Sequence, residues 1–96
     1  MCYPSGVEIT WDPKKNDSNF KKHGVWLEEA QSVIVNPMSL MAPNDHSDGD
    51  RMEYLGHSLE NRLLYVVTVE ELDDEVRIIS ARKATPFERK GYEERI

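Results

Sequence analysis

Positively charged side chains gather near the end of the chain, where a β-branched run gives way to a helix-start signal. The cations of residues 76–90 are Arg77, Arg82, Lys83, Arg89 and Lys90. From residue 82 to residue 90, four cations stand against one glutamate, a local charge of +3. Cations held on a strand end and a helix start can grip a phosphate and stabilise the charge that develops when a phosphodiester is cleaved. The segment is therefore predicted to bind a phosphate group.

Arg77 and Arg82 limit that prediction, because they are five positions apart on one predicted strand. Strict alternation places them on opposite faces of a sheet, and they converge only if the strand bends or bulges near its end. A third arginine, Arg51, falls at the start of another predicted strand. A single arginine in a strand is usually an ordinary surface residue, and that alternative stays open for each of the three.

Two histidines could transfer protons. His23 precedes Gly24 at the end of the first predicted helix and follows Lys21 and Lys22. It could act as a base or an acid beside a cation, or it could simply supply a charge that interacts favourably with the helix dipole. His57 poses the same choice on a predicted strand.

An acidic segment offers possible metal ligands, which are Asp45, His46, Asp48 and Asp50. If Gly49 held position six of an EF-hand loop, Leu55 would hold position twelve, and leucine has no carboxylate to offer calcium. We therefore predict a hydrated loop and no metal site. A metal-dependent nuclease that uses these four ligands is kept as an alternative.

Length and charge bound the possible functions. The 96 residues fit a single domain, assigned as residues 1–96 with a loose lead-in over residues 1–6. The net charge of −6 argues against a large non-specific nucleic-acid-binding face but allows a compact basic pocket. The single Cys2 excludes an intrachain disulfide. No segment has the pattern of a signal peptide or a membrane span, so we expect a cytoplasmic protein without membrane contact.

Apolar periodicity and turn residues predict the order β-α-α-β-β-β-α, an α+β fold with an antiparallel sheet. The predicted strands cover about residues 7–11, 51–58, 62–70 and 75–82. Turns between the last three strands are too short for a parallel return, so these strands must be antiparallel. Residues 38–50 lack periodicity and are rich in loop formers, which predicts a long loop.

The predicted helices have clear boundary signals. The first runs from Pro13 to Gly24, and the second spans about residues 27–34. The last helix begins with a capping box in which Thr85 is the N-cap, Glu88 follows three residues later, and proline takes the first helical position.

Three segments form a combination specific enough to indicate a family. They are Trp11-Asp12-Pro13-Lys14-Lys15, Lys22-His23-Gly24-Val25 and Arg77-Ile78-Ile79-Ser80-Ala81-Arg82-Lys83-Ala84-Thr85. Together with Asn19, Glu28-Glu29-Ala30 and Arg51 with Gly56, they resemble the BrnT-type toxins of bacterial type II toxin–antitoxin systems. The resemblance covers roughly residues 9–93.

The resemblance implies a fold similar to the RelE ribonucleases, cleavage of RNA that arrests translation, and neutralisation by a BrnA-type antitoxin. It further implies a heterotetramer of two toxins and two antitoxins that represses its own operon, in which only the antitoxin contacts DNA. No cofactor is implied. The RNA 2′-hydroxyl would be the nucleophile, without a metal.

The resemblance also implies a catalytic set, because five residues match family motif positions: Lys22, His23, Arg51, Arg77 and Arg82. His23 would be the general base or acid, and the four cations would hold the scissile phosphate. Further contacts to RNA are expected from Lys83, Arg89 and Lys90.

Two positions depart from the family pattern. Trp26 stands where a serine that can cap the second helix is common, so a capping box with Glu29 is lost and a hydrophobic contact could replace it. Met52 stands where a large aromatic residue is common. Trp11 and Trp26 could stack on bases, although burial under the sheet is the stronger expectation. The alternative function is a catalytically weak interaction module that binds an antitoxin and tunes operon repression.

Overall fold

Strands and helices fill most of the chain, and a computed structural model describes residues 8–43, 51–71 and 74–95. The strands are β1 Glu8–Trp11, β2 Leu40–Pro43, β3 Arg51–His57, β4 Leu63–Glu71 and β5 Glu75–Lys83. The helices are α1 Pro13–His23, α2 Leu27–Ile34 and α3 Pro86–Arg95. Within the described residues, these three helices and one five-stranded sheet confirm the predicted α+β class.

The sheet has the strand order β1-β5-β4-β3-β2. Strands β3, β4 and β5 are antiparallel neighbours, as the short turns between them predict. At the edge, β1 pairs parallel with β5, with Trp11 opposite Ile78. A long path through two helices and three strands separates β1 from β5, so connection length imposes no direction on this pair. The sheet is therefore mixed rather than wholly antiparallel.

The loop predicted over residues 38–50 contains an additional strand. β2 pairs antiparallel with β3, with Leu40 opposite Leu55 and Ala42 opposite Glu53. β2 lies at the sheet edge, where a proline is tolerated and where apolar and polar residues need not alternate. Its sequence therefore has no periodic pattern that predicts a strand. The rest of this predicted loop, with Asp45, His46, Asp48 and Asp50, lies outside the described residues, as does the predicted lead-in over residues 1–6.

Helices α1 and α2 cover one face of the sheet. The buried core is formed by Val25, Leu27, Ala30, Val33, Ile34, Tyr54, Leu64, Val66, Ile78 and Ala81. Because side chains alternate along a strand, the neighbours of the core row point the other way. This second face, which we call the outer face, carries Glu53, Val67 and Ser80 in one row. Helix α3 covers one end of it, where the rings of Tyr92 and His57 pack edge-on with centroids 5.5 Å apart.

An asparagine replaces the missing cap of α2. Trp26 is the N-cap and makes no side-chain cap hydrogen bond, but the Leu27 N–H donates to Asn16 Oδ1 at 2.7 Å. The Trp26 ring stacks on Phe20 with centroids 4.1 Å apart, so a hydrophobic contact does stand at this position. The predicted burial of Trp26 is wrong, since 42% of it is exposed, whereas Trp11 is half-buried against the core.

Candidate active site

A β-bulge lies in the middle of β5. Val67 of β4 is opposite Ser80, but the next residue, Thr68, is opposite Ile78. Ile79 is therefore an extra residue that has no counterpart on β4. The bulge shifts the alternation of β5 by one position, so the residues before it change faces relative to those after it.

The bulge brings Arg77 and Arg82 to the same face. Arg77 is opposite Val69 and Arg82 is opposite Tyr65 on β4. Val69 and Tyr65 are an even number of residues apart on a strand without a bulge of its own, so they share the outer face, and directly paired residues do as well. The condition under which the two arginines converge is met.

A third arginine joins them across the sheet. Arg51 is opposite Val69 on the other side of β4, so Arg51, Val69 and Arg77 form one row on the outer face. Two strand spacings separate the Cα atoms of Arg51 and Arg77, a distance of about 10 Å. The three arginines therefore lie at the corners of one patch. On β4, Val69 lies between Arg51 and Arg77, and Tyr65 lies beside Arg82.

Arg82 is held in a fixed orientation on this face. Its guanidinium lies 4.2 Å from the centroid of the Tyr65 ring, a cation–π contact. Its Nη1 donates to Glu88 Oε1 at 2.8 Å and its Nη2 donates to Glu88 Oε2 at 2.9 Å. The hydrogen bonds from Arg82 hold the pKa of the Glu88 carboxyl below its usual range, and Glu88 in turn raises the pKa of Arg82. Both groups are thus charged at neutral pH.

The same glutamate caps α3. The Thr85 N–H donates to Glu88 Oε1 at 2.9 Å, and the Glu88 N–H donates to Thr85 Oγ1 at 3.1 Å, which confirms the predicted capping box. Glu88 therefore links the start of α3 to the arginine at the end of β5. The capping motif also positions a side chain of the candidate site.

Arg77 lies near a second acid. Its Nη2 is 3.5 Å from Glu75 Oε2, and the Thr10 hydroxyl donates to the same carboxylate oxygen at 2.7 Å. Thr10 is the parallel partner of Arg77 on β1. The edge strand thus helps to fix the glutamate beside Arg77.

Lys22 and His23 meet β5 at the bulge. A cavity of about 210 Å³ is lined by Lys15, Ser18, Asn19, Lys22, His23, Ile79 and Ser80. Asn19 ties α1 to this part of the strand, because its Nδ2 donates to Ala81 O at 2.8 Å and its Oδ1 accepts from the Ala81 N–H at 3.2 Å. The Asn19 side chain thereby bonds to the β5 backbone at a position beyond Ile78, the last residue of β5 that pairs with β1. Ser80, which lines the cavity, shares the outer face with Arg82 two residues later.

The three predicted RNA contacts are not gathered at one place. Lys83 is opposite Leu64, whose side chain belongs to the core, so Lys83 lies on the helix-covered face. There the pKa of Glu29 is lowered mainly by a hydrogen bond from Arg62 and to a small extent by the charge of Lys83. Arg89 and Lys90 are exposed on α3, and Arg89 Nη1 is 3.7 Å from Glu93 Oε2. Of these cations, Lys83 is separated from Arg82 by the sheet itself.

Sequence reasoning missed two residues of the outer face. The Tyr65 hydroxyl donates to Glu53 Oε2 at 3.2 Å, and burial, followed by the charge of Glu53, raises the pKa of Tyr65. Both side chains are half-buried. The available signal was spacing, because Glu53 follows Arg51 by two positions on a predicted strand and must share its face.

Among the described residues, no three His, Cys, Asp or Glu side chains group in a way that could hold a metal ion. No helix in that part of the chain is both long and apolar enough to span a membrane.

Comparison with known proteins agrees with the fold. A solved structure, the 1.1 Å crystal structure of the Brucella abortus ribonuclease toxin BrnT, superposes with a TM-score of 0.66 at 21% identity and covers 82% of this chain and 97% of that chain. No curated protein sequence matches significantly. Residues 11–88 match the family model described as the ribonuclease toxin BrnT of type II toxin–antitoxin systems. Because that match spans most of the sequence, the chain belongs to the BrnT family of ribonuclease toxins.

Proposed function

We propose that this chain is a metal-independent endoribonuclease that cleaves RNA in the cytoplasm and arrests translation, and that a BrnA-type antitoxin neutralises it. The family is one of ribonuclease toxins from type II toxin–antitoxin systems, which carry an antitoxin partner. The observation that supports catalysis by this chain is the bulge at Ile79, because it gives Arg77 and Arg82 a common face with Arg51.

The proposed reaction is an internal transfer at phosphorus. The 2′-oxygen forms a bond to phosphorus, the bond from phosphorus to the 5′-oxygen breaks, and the products are a 2′,3′-cyclic phosphate and a 5′-hydroxyl. Negative charge grows on the non-bridging oxygens in the transition state, and fixed guanidinium groups stabilise it without reorganisation. Arg51, Arg77 and Arg82 supply that charge, and Lys22 and His23 approach the same face at its β5 edge.

The proposed assembly contains two toxins and two antitoxins and represses its own operon. The net charge of −6 supports a division of labour in which the antitoxin makes the DNA contacts, since DNA affinity comes mainly from neutralised phosphates. In this complex the toxin contributes its nuclease domain and a protein-binding surface.

One observation favours the second candidate, a catalytically weak module that binds an antitoxin. Both carboxylate oxygens of Glu88 accept hydrogen bonds from Arg82, so much of that cation's charge is already balanced. If the pair does not open for substrate, Arg82 holds α3 rather than phosphate. Antitoxin binding without RNA cleavage would identify this case.

RNA cleavage by the purified chain in excess chelator tests the proposal. We expect the wild-type chain to cleave, and Arg82→Ala to lose about 100- to 1,000-fold in rate, as expected when a transition-state charge donor is removed. Lys14→Ala is the matched control, because it removes one positive charge from an exposed position on α1 that has no predicted contact with RNA. Circular dichroism checks that both variants fold. Absence of cleavage by the wild type, or its loss in chelator, would contradict the proposal.

A further inference from the structure

We propose that Glu53 is the general base that takes the proton from the RNA 2′-hydroxyl, with Tyr65 as the positioning residue that orients its carboxylate. This inference rests on the proposed ribonuclease function. The proposed catalytic residues then include a carboxylate on β3 in addition to the cations and His23.

Glu53 lies on the same face of the sheet as the three arginines. Glu53 follows Arg51 by two residues and so shares the outer face with it. Its direct partner is Val67, and the row continues to Ser80 on β5. A carboxylate therefore lies inside the arginine patch, in the row next to that of Arg51 and Arg77.

Tyr65 orients the Glu53 carboxylate. The Tyr65 hydroxyl donates to Glu53 Oε2 at 3.2 Å, while the same ring lies 4.2 Å below the Arg82 guanidinium. Because the pKa of Tyr65 is raised, the phenol keeps its proton at neutral pH and acts as a donor. One oxygen of Glu53 is thus fixed, and no described residue donates to Oε1, which is left to accept the substrate proton.

The Glu53 side chain is accessible from a cavity. A cavity of about 180 Å³ reaches Glu53 and Tyr65, and the apolar side chains Leu40, Ala42 and Leu55 form part of its wall. A ribose can approach the carboxylate there, and Glu88, the partner of Arg82, lines the same cavity. The other acids near the patch are already engaged, because Glu75 contacts Thr10 and Arg77 while Glu88 contacts Arg82.

The location of His23 completes the proton balance. An in-line displacement needs a base at the 2′-oxygen and an acid at the 5′-oxygen, on opposite sides of phosphorus. Glu53 lies on β3, whereas the His23 cavity opens at Ser80 on β5, about 10 Å away across two strand spacings. Glu53 accepts the 2′-hydroxyl proton as the O–P bond forms, and His23 donates a proton to the 5′-oxygen as its bond to phosphorus breaks.

Charged and titratable groups face Glu53 from four elements: Arg51 on β3, Tyr65 on β4, Arg77 and Arg82 on β5, and Glu88 and Arg95 on α3. The arginines keep their charge throughout the accessible pH range, so they do not generate a pH dependence in acid. The hydrogen bond from Arg82 lowers the pKa of Glu88, and a general base works only in its deprotonated form, so loss of activity in acid is the kinetic signature of the proposed base.

Glu53→Gln tests the inference, because the amide keeps the shape and can still accept from Tyr65. We expect kcat to fall by about 100-fold or more with little change in KM, and the acidic limb of the pH–rate profile to disappear. Glu70→Gln is the matched control, since Glu70 is an exposed strand carboxylate opposite Val76 on the other face. Tyr65→Phe, which keeps the ring under Arg82, should lose roughly tenfold and shift the acidic limb.

The outcomes separate the two proposals. If the wild type cleaves and Glu53→Gln keeps its rate and its acidic limb, Glu53 is not the base and the ribonuclease function stands. If the wild type does not cleave RNA, both fall. Should Glu53→Gln fail to fold, Glu53→Asp replaces it, because a shortened carboxylate should retain the acidic limb at a reduced rate. An Asp variant without that limb would overturn the inference.

Discussion

Two arginines of this chain each grip one glutamate with two nitrogens, and they do so on opposite sides of the sheet. Arg62 Nε donates to Glu29 Oε2 at 2.9 Å, its Nη2 donates to Glu29 Oε1, and Glu29 belongs to α2 on the helix-covered face. Arg82 binds Glu88 with its Nη1 and Nη2 on the outer face. Both are arginine–glutamate pairs with two hydrogen bonds, but they connect different parts of the fold.

The Arg62 pair joins distant parts of the chain. Arg62 also donates to Gly24 O at 3.3 Å, and Ser58 Oγ donates to Glu29 Oε2 at 2.7 Å, so one cluster ties α1, α2 and the turn between β3 and β4 together. The Arg82 pair spans only six residues, from the end of β5 to the first turn of α3. The first pair therefore stabilises the fold, and the second fixes the direction of one side chain.

The largest effect on stability is expected from Arg62→Ala. Glu29 is only 10% exposed, so removing its partner leaves a poorly solvated charge, and we expect a loss of about 2 kcal/mol, between the values for exposed and buried pairs. Arg82→Ala should cost less than about 1 kcal/mol, because the freed Glu88 still caps α3. Urea denaturation measures both. Equal losses would show that the two pairs do not differ in role.

A smaller effect is expected at Gly24, whose carbonyl accepts from Arg62. Its φ of 71° is left-handed, and a Cβ there would meet nothing within 4 Å, so Gly24→Ala isolates backbone strain at about 1 kcal/mol. Gly91→Ala is the control in the helical conformation of α3, and it should be neutral or stabilising. Thermal unfolding measures both changes. A stabilising Gly24→Ala would contradict the assignment.

The smallest effect is a difference in acid sensitivity. Hydrogen bonds from arginine lower the pKa of both Glu29 and Glu88, so each pair contributes stability that is present at neutral pH. That stability is lost as the pH falls below the ordinary glutamate value of about 4.3 and through the lowered pKa. Arg62→Ala should flatten this part of the stability curve more than Arg82→Ala. Unfolding midpoints measured from pH 6 down to about pH 3 provide the test.

Most elements of the fold could be predicted because their signals are local. The capping box of α3, the end of α1 at Gly24 and the three-stranded meander follow from neighbouring residues. β2 and the parallel pairing of β1 could not be predicted, because partners distant in sequence create both. The cap that Asn16 provides for α2 is also a tertiary contact.

The candidate site likewise combines features that local signals predict with features that depend on residues distant in sequence. Arg77, Arg82 and Arg51 were identifiable as cations on strands, but whether two of them share a face depended on one extra residue in β5. No residue type in that segment marks a bulge, since Ile79 suits a regular strand equally well. The hydrogen bond between Tyr65 and Glu53 joins different strands and becomes visible only when their register is known.

The bulge divides β5 into two segments, and within each segment the side chains alternate regularly between the two faces. We call these segments frames: the first ends at Ile78 and the second begins at Ser80. Each frame sends an apolar residue inward, Ile78 in the first and Ala81 in the second, and each sends an arginine outward. Loss of Ile79 would leave both frames intact, because Ile78 would then directly precede Ser80, and a regular strand would still send Ile78 inward and Arg77 outward. Regular pairing that kept Ile79 would force a choice, because holding the second frame would turn Arg77 under the helices and expose Ile78. The shared face of Arg77 and Arg82 therefore depends on a match between the number of residues that separate them and the presence of the bulge, and not on the side chain of Ile79.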